Sequence, residues 1–191
     1  MPRLFAGIEI PEDISSELSA LEIAIPGVSW VEEDDLHVTL RFFSDVSDAE
    51  ADALHDLLDT LDANAFEMRI TGLGTFGNDP HSIHAVVEDT PALSALARSI
   101  ERIASGLGMP RPKHQFRPHI TLARLAYAEP ERLARFLSAN STAARFEPFF
   151  VHRFALYSSR PRTGGGPYAI EALYALRGGL GAGVDEDGNP W

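Results

Sequence analysis

The chain has 191 residues, a formal net charge of -12 and no cysteine, with 45% of its residues hydrophobic. Disulfides, thiolate metal sites and a cysteine nucleophile are therefore excluded, and the acidic balance argues against broad, nonspecific binding of nucleic acid, whose affinity comes from neutralised phosphates. No run of about 18 apolar residues could span a membrane, and the N-terminus carries no charged-then-apolar leader, so a cytoplasmic protein is expected.

In chain order, residues 3–10 read as a strand ended by Pro11, which suits the first turn of a helix. That helix is expected to run to about residue 24, with Ile14, Leu18, Leu21 and Ile25 on one face and Pro26-Gly27 as its stop. An acidic loop, Glu32 to Asp35, then leads into a strand over 36–43. Ser47-Asp48-Ala49-Glu50 has the form of a capping box, followed at helical spacing by Leu54, Leu57, Leu58 and Leu61. Residues 65–71 read as a strand, and the glycines and Pro80 of 72–80 as a long turn between two halves.

The second half repeats the order. A strand over 82–88 is followed by a helix from Thr90-Pro91 to Leu107, a basic loop, a strand over 118–125 and a helix from about Glu129. Residues 146–158 and 167–176 read as a closing hairpin whose connection, Arg160 to Gly166, could close over a ligand. The Gly-rich acidic tail from Gly178 to Trp191 is expected to be disordered.

The two halves share a chemical signature. His37-Val38-Thr39-Leu40 returns 82 residues later as His119-Ile120-Thr121-Leu122. Side chains alternate along a strand, so each histidine and its threonine share one face while Val38 and Leu40, or Ile120 and Leu122, enter a core. The framing repeats too: Pro11 precedes His37 by 26 residues and Pro91 precedes His119 by 28, and Ser47 and Glu129 each lie 10 residues after their histidine. This is a degenerate internal duplication. The fold class expected is α+β, with two pseudo-symmetric lobes, each a mainly antiparallel sheet flanked by helices, around a central cleft where the motif strands face each other. Residues 1–177 would form one bilobal domain, its halves about 1–72 and 81–177, with strands free to exchange between lobes.

Charge is uneven. Residues 1–62 hold sixteen acids against two arginines, whereas 110–125 hold Arg111, Lys113, Arg117 and Arg124 without an acid, around His119. That coincidence favours local attraction of an anion over a merely solvated loop. Two imidazoles across a cleft can act as general base and general acid near neutral pH, the pair that in-line displacement at phosphorus needs. Thr39 and Thr121 are placed to bond nonbridging oxygens, and a strained cyclic diester with a good leaving group would require no metal. Arg41 shares the expected face of His37 and is a further phosphate candidate, while regular alternation sets Arg124 opposite His119 unless a bulge intervenes.

The chain resembles the 2H phosphoesterases, named for two His-x-Thr/Ser motifs, and within them the RNA 2',3'-cyclic phosphodiesterases formerly called 2'-5' RNA ligases. The likeness runs to about residue 177 and rests on Arg3-Leu4-Phe5-Ala6, Trp30, the first motif, the long Phe116-Arg117-Pro118-His119-Ile120-Thr121-Leu122-Ala123-Arg124, the stretch Phe154 to Ser159, and Tyr168. It implies hydrolysis of RNA 2',3'-cyclic phosphate ends to 2'-phosphates without metal or cofactor, with His37 as proton donor, His119 as proton acceptor and Arg124 as a phosphate ligand. There are two departures: Ser44 stands where the family usually has Gly, and Ser82 to Val86 lacks the expected Arg and Trp, a difference that bears on base stacking and hence on substrate choice.

Blander readings compete. A single His-x-Thr is more often a half-buried strand pair with its hydroxyl on the backbone, and only the repetition favours function. His81-x-x-His84 has no evident third ligand and is not read as a zinc site. His55 reads as a surface residue, and His114 and His152 as surface or rim residues. The competing functional classes are a noncatalytic module for RNA ends or nucleotides, and RNA joining with a 5'-hydroxyl in place of water.

Overall fold

The structure is a computed structural model that describes residues 3–43, 46–77, 79–127, 129–159 and 168–178. Ser44, the 160–166 connection and residues 179–191 of the acidic tail lie outside the described residues. The elements are β1 (Arg3–Glu9), α1 (Glu12–Ser19), β2 (Val28–Trp30), β3 (His37–Phe43), α2 (Asp48–Asp59), β4 (Phe66–Met68), β5 (Ile70–Gly74), β6 (Ser82–Val87), α3 (Pro91–Gly106), β7 (His119–Leu125), α4 (Pro130–Asn140), β8 (Phe149–Val151), β9 (Arg153–Ser159) and β10 (Tyr168–Ala175). No helix among the described residues is long and apolar enough to cross a membrane.

The helix signals act as their chemistry requires. Ser47 and Glu50 form a reciprocal capping box at the start of α2. Thr90 accepts a bond from the Leu93 amide at 3.3 Å and Pro91 occupies the first turn of α3. Helix α1 stops at Ser19, short of the expected 24, and continues as single turns (Leu21 N to Leu18 O, Glu22 N to Ser19 O). Three serines in eight residues give it weak intrinsic support, so packing of Ile14 and Leu18 carries it.

The main sheet runs β10-β9-β1-β3-β7-β6-β5, with β2 added against β7, and β4 pairs with β8 in a separate two-stranded sheet. The strand expected over 65–71 thus splits between two sheets. Its second part continues to Gly74, into the expected turn, because β6 offers it a pairing edge. The C-terminal β9-β10 hairpin pairs with β1 of the first half, while β5, from the first half, pairs with β6 of the second.

The two motif strands do not confront each other across a gap. They lie side by side, antiparallel, joined by one bridge from Val38 to Ile120. By contrast β1 follows β3 from Leu4–Phe43 to Glu9–His37. Val38 and Ile120, both 0% exposed, point into a core closed by Leu93, Leu96 and Ile100 of α3 and by Leu54 and Leu58 of α2. Each such buried aliphatic side chain stabilises the fold by about 2 kcal/mol. The core face is therefore apolar and covered, and the motif histidines and threonines are left on the other side of the sheet.

Candidate active site

His37 and His119 open β3 and β7, and the two strands have the same sequence of exposure: partly buried, buried, partly buried, buried, buried, exposed, buried. Antiparallel continuation from the Val38–Ile120 bridge sets Thr39 across from His119 and His37 across from Thr121. Both imidazoles and both hydroxyls thus share one face of adjacent strands.

Each ring is held by the main chain. His37 Nδ1 lies 2.7 Å from the Asp35 carbonyl and His119 Nδ1 2.7 Å from that of Arg117. A carbonyl only accepts, so both rings carry their hydrogen on Nδ1 and turn Nε2 toward the cleft. His37 Nε2 is 3.1 Å from Thr39 Oγ1, whose hydroxyl donates to it in this tautomer.

The rings sit in different surroundings. His37 is enclosed by Phe5, Tyr168 and Tyr157, with ring centroids 4.7, 5.3 and 5.7 Å away. Burial pushes its imidazole down to about 4, opposed by the Asp35 carbonyl and reinforced by the charges of His119 and Arg124. His119 has the edges of Phe76 and His84 at 5.0 and 5.3 Å, and the Arg117 guanidinium stands 5.8 Å over the Phe76 ring. His84 is 3% exposed, stacks on Phe76 at 4.1 Å and, among the described residues, has no partner for its Nδ1. Burial and the neighbouring His119 hold it down to about 4.

A bulge repeated in both strands decides the arginines. On β7, His84 pairs with Thr121 and Ile83 with Ala123, so Leu122 is passed over. On β3, Gly7 pairs with Thr39 and Ala6 with Arg41, so Leu40 is passed over. An extra residue inverts the alternation beyond it. Arg124 is thereby returned to the face of His119 and Thr121, where its charge acts on His37. Arg41, expected beside His37, is instead turned to the opposite face, 8% exposed, where it pairs with Glu101 of α3 and donates to the Phe42 and Pro110 carbonyls. The cleft-side place next to it goes to Phe42, 58% exposed and 5.4 Å from Phe5.

Phe5, Phe76, Tyr157 and His84 shape the site without having been singled out for it. Only Phe5 and Tyr157 lay within stretches that resemble the family. His81 is exposed while His84 is buried, and among the described residues no three His, Asp or Glu gather as metal ligands. His55 is a surface residue bonded to the Tyr174 hydroxyl at 2.8 Å. His114 is exposed on the basic loop, and His152 is exposed between β8 and β9.

Fold and paired motifs together have the form of the 2H phosphoesterase class. The chain belongs to the 2'-5' RNA ligase superfamily, whose family model matches residues 10–162. It is 34% identical to the RNA 2',3'-cyclic phosphodiesterase of Geobacillus stearothermophilus over 142 residues, 70% of this chain and 43% of that protein, so the match spans under half of that relative's length. It is 28% identical over 176 residues to the Aquifex aeolicus protein of the same name, covering 89% of this chain and 91% of that one. Among solved structures, Escherichia coli LigT complexed with 3'-AMP matches with a TM-score of 0.75 at 25% identity, covering 93% of this chain and 99% of LigT. A Thermus thermophilus protein matches at 0.77 and 25%, with 92% and 98% covered.

Proposed function

We propose that this chain hydrolyses RNA 2',3'-cyclic phosphate ends to 2'-phosphates in the cytoplasm, without metal or cofactor. His37 is the proton donor and His119 the proton acceptor, while Thr39, Thr121 and Arg124 hold the nonbridging phosphate oxygens. The observation that carries this reading is the pair of imidazoles on one sheet face, each with Nδ1 tied to a carbonyl and Nε2 toward the cleft. The relatives' names supply the substrate.

In the step so assigned, His119 Nε2 takes a proton from water as the water oxygen bonds to phosphorus. The bond from phosphorus to O3' breaks on the opposite side, and O3' takes the proton of His37 Nε2. A free 3'-hydroxyl and a 2'-phosphate result. A general acid must carry its proton, yet burial pushes His37 down to about 4. The phosphodiester supplies the missing condition: an anion beside the ring favours the imidazolium, so substrate binding loads the acid. Arg124 and the threonines then face charge that builds on the nonbridging oxygens.

The test is hydrolysis of a 2',3'-cyclic nucleotide in EDTA by wild type, His37→Ala and His119→Ala. Wild type should release the 2'-phosphate, and each variant should lose about 10²–10⁴ in rate. Near wild-type rates in either variant would overturn the two-histidine assignment. Binding of a cyclic-phosphate oligonucleotide without turnover by wild type would make the chain a noncatalytic module.

A further inference from the structure

We propose that a second hollow, between α3 and the basic loop of residues 110–117, binds backbone phosphates of the RNA strand upstream of the reacting end. The proposal rests on the function assigned above and extends it from a terminal nucleotide to a single-stranded oligonucleotide.

The hollow holds about 540 Å³ and lies at the far end of β3, reached by Leu40 and Arg41 on the face opposite the histidines. Arg98 and Arg102 project from α3 and Arg111 from the loop. Its two carboxylates are engaged: Glu101 by Arg41 and by Ser105, and Asp89 by the Ser94 hydroxyl at 2.5 Å. With Arg41 and Glu101 cancelling, three guanidinium groups face one carboxylate, a balance of +2. Among the described residues Arg98, Arg102 and Arg111 have no ion pair, and Arg102 bonds only the Ser99 hydroxyl at 2.9 Å. A polyanion repelled by a net charge of -12 is held only where positive charge is concentrated.

Charge around the cleft also gives the strand a direction. A cavity of about 470 Å³ that His37 helps to line is walled by Glu9, which Arg153 pairs, and by Glu12, Glu33, Asp34 and Asp35, carboxylates that repel phosphates. On the His119 side the wall is the basic loop itself. Its Arg117 carbonyl holds His119 and its Arg117 guanidinium lies over Phe76, while its Arg111, His114 and Gln115 line the arginine hollow. One short segment thus borders both places. Phe42, exposed on the cleft face next to Arg41, lies along the same strand and presents a ring on which a base can stack.

The experiment compares wild type with the triple variant Arg98→Gln, Arg102→Gln, Arg111→Gln. The substrates are a 2',3'-cyclic mononucleotide and an oligoribonucleotide of about ten nucleotides ending in the same group, a length within the usual single-strand site size. Wild type should favour the oligonucleotide in kcat/KM. The variant should keep its mononucleotide rate, which also reports that it folds, and should lose about tenfold on the oligonucleotide. The slope of log affinity against log salt should become shallower by about 0.7 for each phosphate contact removed. An oligonucleotide preference unchanged by the substitutions, or no preference in wild type, would overturn the proposal. If wild type turns over neither substrate, the function assigned above fails separately. Fluorescence anisotropy with an unreactive 3'-hydroxyl RNA of the same length then judges the hollow: weaker binding by the variant supports it, and equal binding overturns it.

Discussion

Gly7 and His84 are structural counterparts. Gly7 pairs with Thr39 and His84 pairs with Thr121, and each stands beside the bulge of its motif strand. At one position there is no side chain, and Tyr157 closes over His37. At the other an imidazole fills the space and touches His119. The two motif strands have the same sequence of exposure, and this position is one at which their histidines meet unlike neighbours.

Gly7→Ala tests the closeness on the His37 side. A methyl there would lie 3.0 Å from the Val38 carbonyl, 3.2 Å from the Tyr157 ring and 3.5 Å from His37 Cδ2. The backbone contact cannot yield cheaply, so a loss of about 1–3 kcal/mol is expected. For a chain of this size that is a fall in Tm of roughly 2–12 °C, with a lower kcat as the ring is pushed aside. An unchanged Tm would contradict the packing described.

Stability should fall with acid before most carboxylates titrate. His37 and His84 are held at about 4 in the fold, against about 6.5 when unfolded. Between those values the unfolded chain binds more protons. Their contribution is therefore complete above pH 6.5, declines as pH falls and is lost below about 4, with a slope of at most about 1.4 kcal/mol per pH unit for each ring. Asp35, raised by burial and then by Asp34 and Glu32, works in the opposite sense nearer its own range. Chemical denaturation of wild type and His84→Phe from pH 7 to 4 isolates one ring: the variant should show the shallower dependence, and identical slopes would refute it.

Arg124→Gln should lower kcat/KM by about 10²-fold if the guanidinium holds a developing oxyanion, and Arg124→Lys should recover only part. The same cation depresses His37, so its removal should also move the His37 limb of the kcat/KM profile upward in pH. A lower rate with an unmoved profile would place the arginine away from His37.

Arg41 should behave differently despite its similar place in the sequence. Arg41→Met removes the partner of Glu101 and the tie to Pro110, and should cost about 1–3 kcal/mol of stability, below the full value for a wholly buried pair because Glu101 is 29% exposed. Adding Glu101→Leu should restore much of the loss. If the pair of substitutions is no more stable than Arg41→Met alone, the ion pair is not what the residue supplies.

Alternation made the motif faces legible in the sequence: Val38 and Ile120 inward, the histidines and threonines outward. Alternation did not place the arginines: the resemblance named Arg124 and a bulge was the condition for its reaching the cleft, but a bulge is decided by register against β1 and β6, and no residue at Leu40 or Leu122 announces it. The same holds for the split of residues 65–71 between two sheets and for the motif strands lying beside each other, since both depend on which edges remain free once the chain collapses. His84 was visible only as half of a His-x-x-His spacing. Its actual neighbours, Phe76 and His119, are brought to it by the turn before β6 and by pairing with β7.

The oxygens that set the tautomer of both rings, those of Asp35 and Arg117, belong to the peptide backbone. Unlike the acidic side chain that orients a histidine in a triad, they are present whatever side chain stands at their positions. What inheritance must preserve for the tautomer is the path of the polypeptide there, while the side chains at 35 and 117 serve other contacts, Arg117 over the Phe76 ring among them.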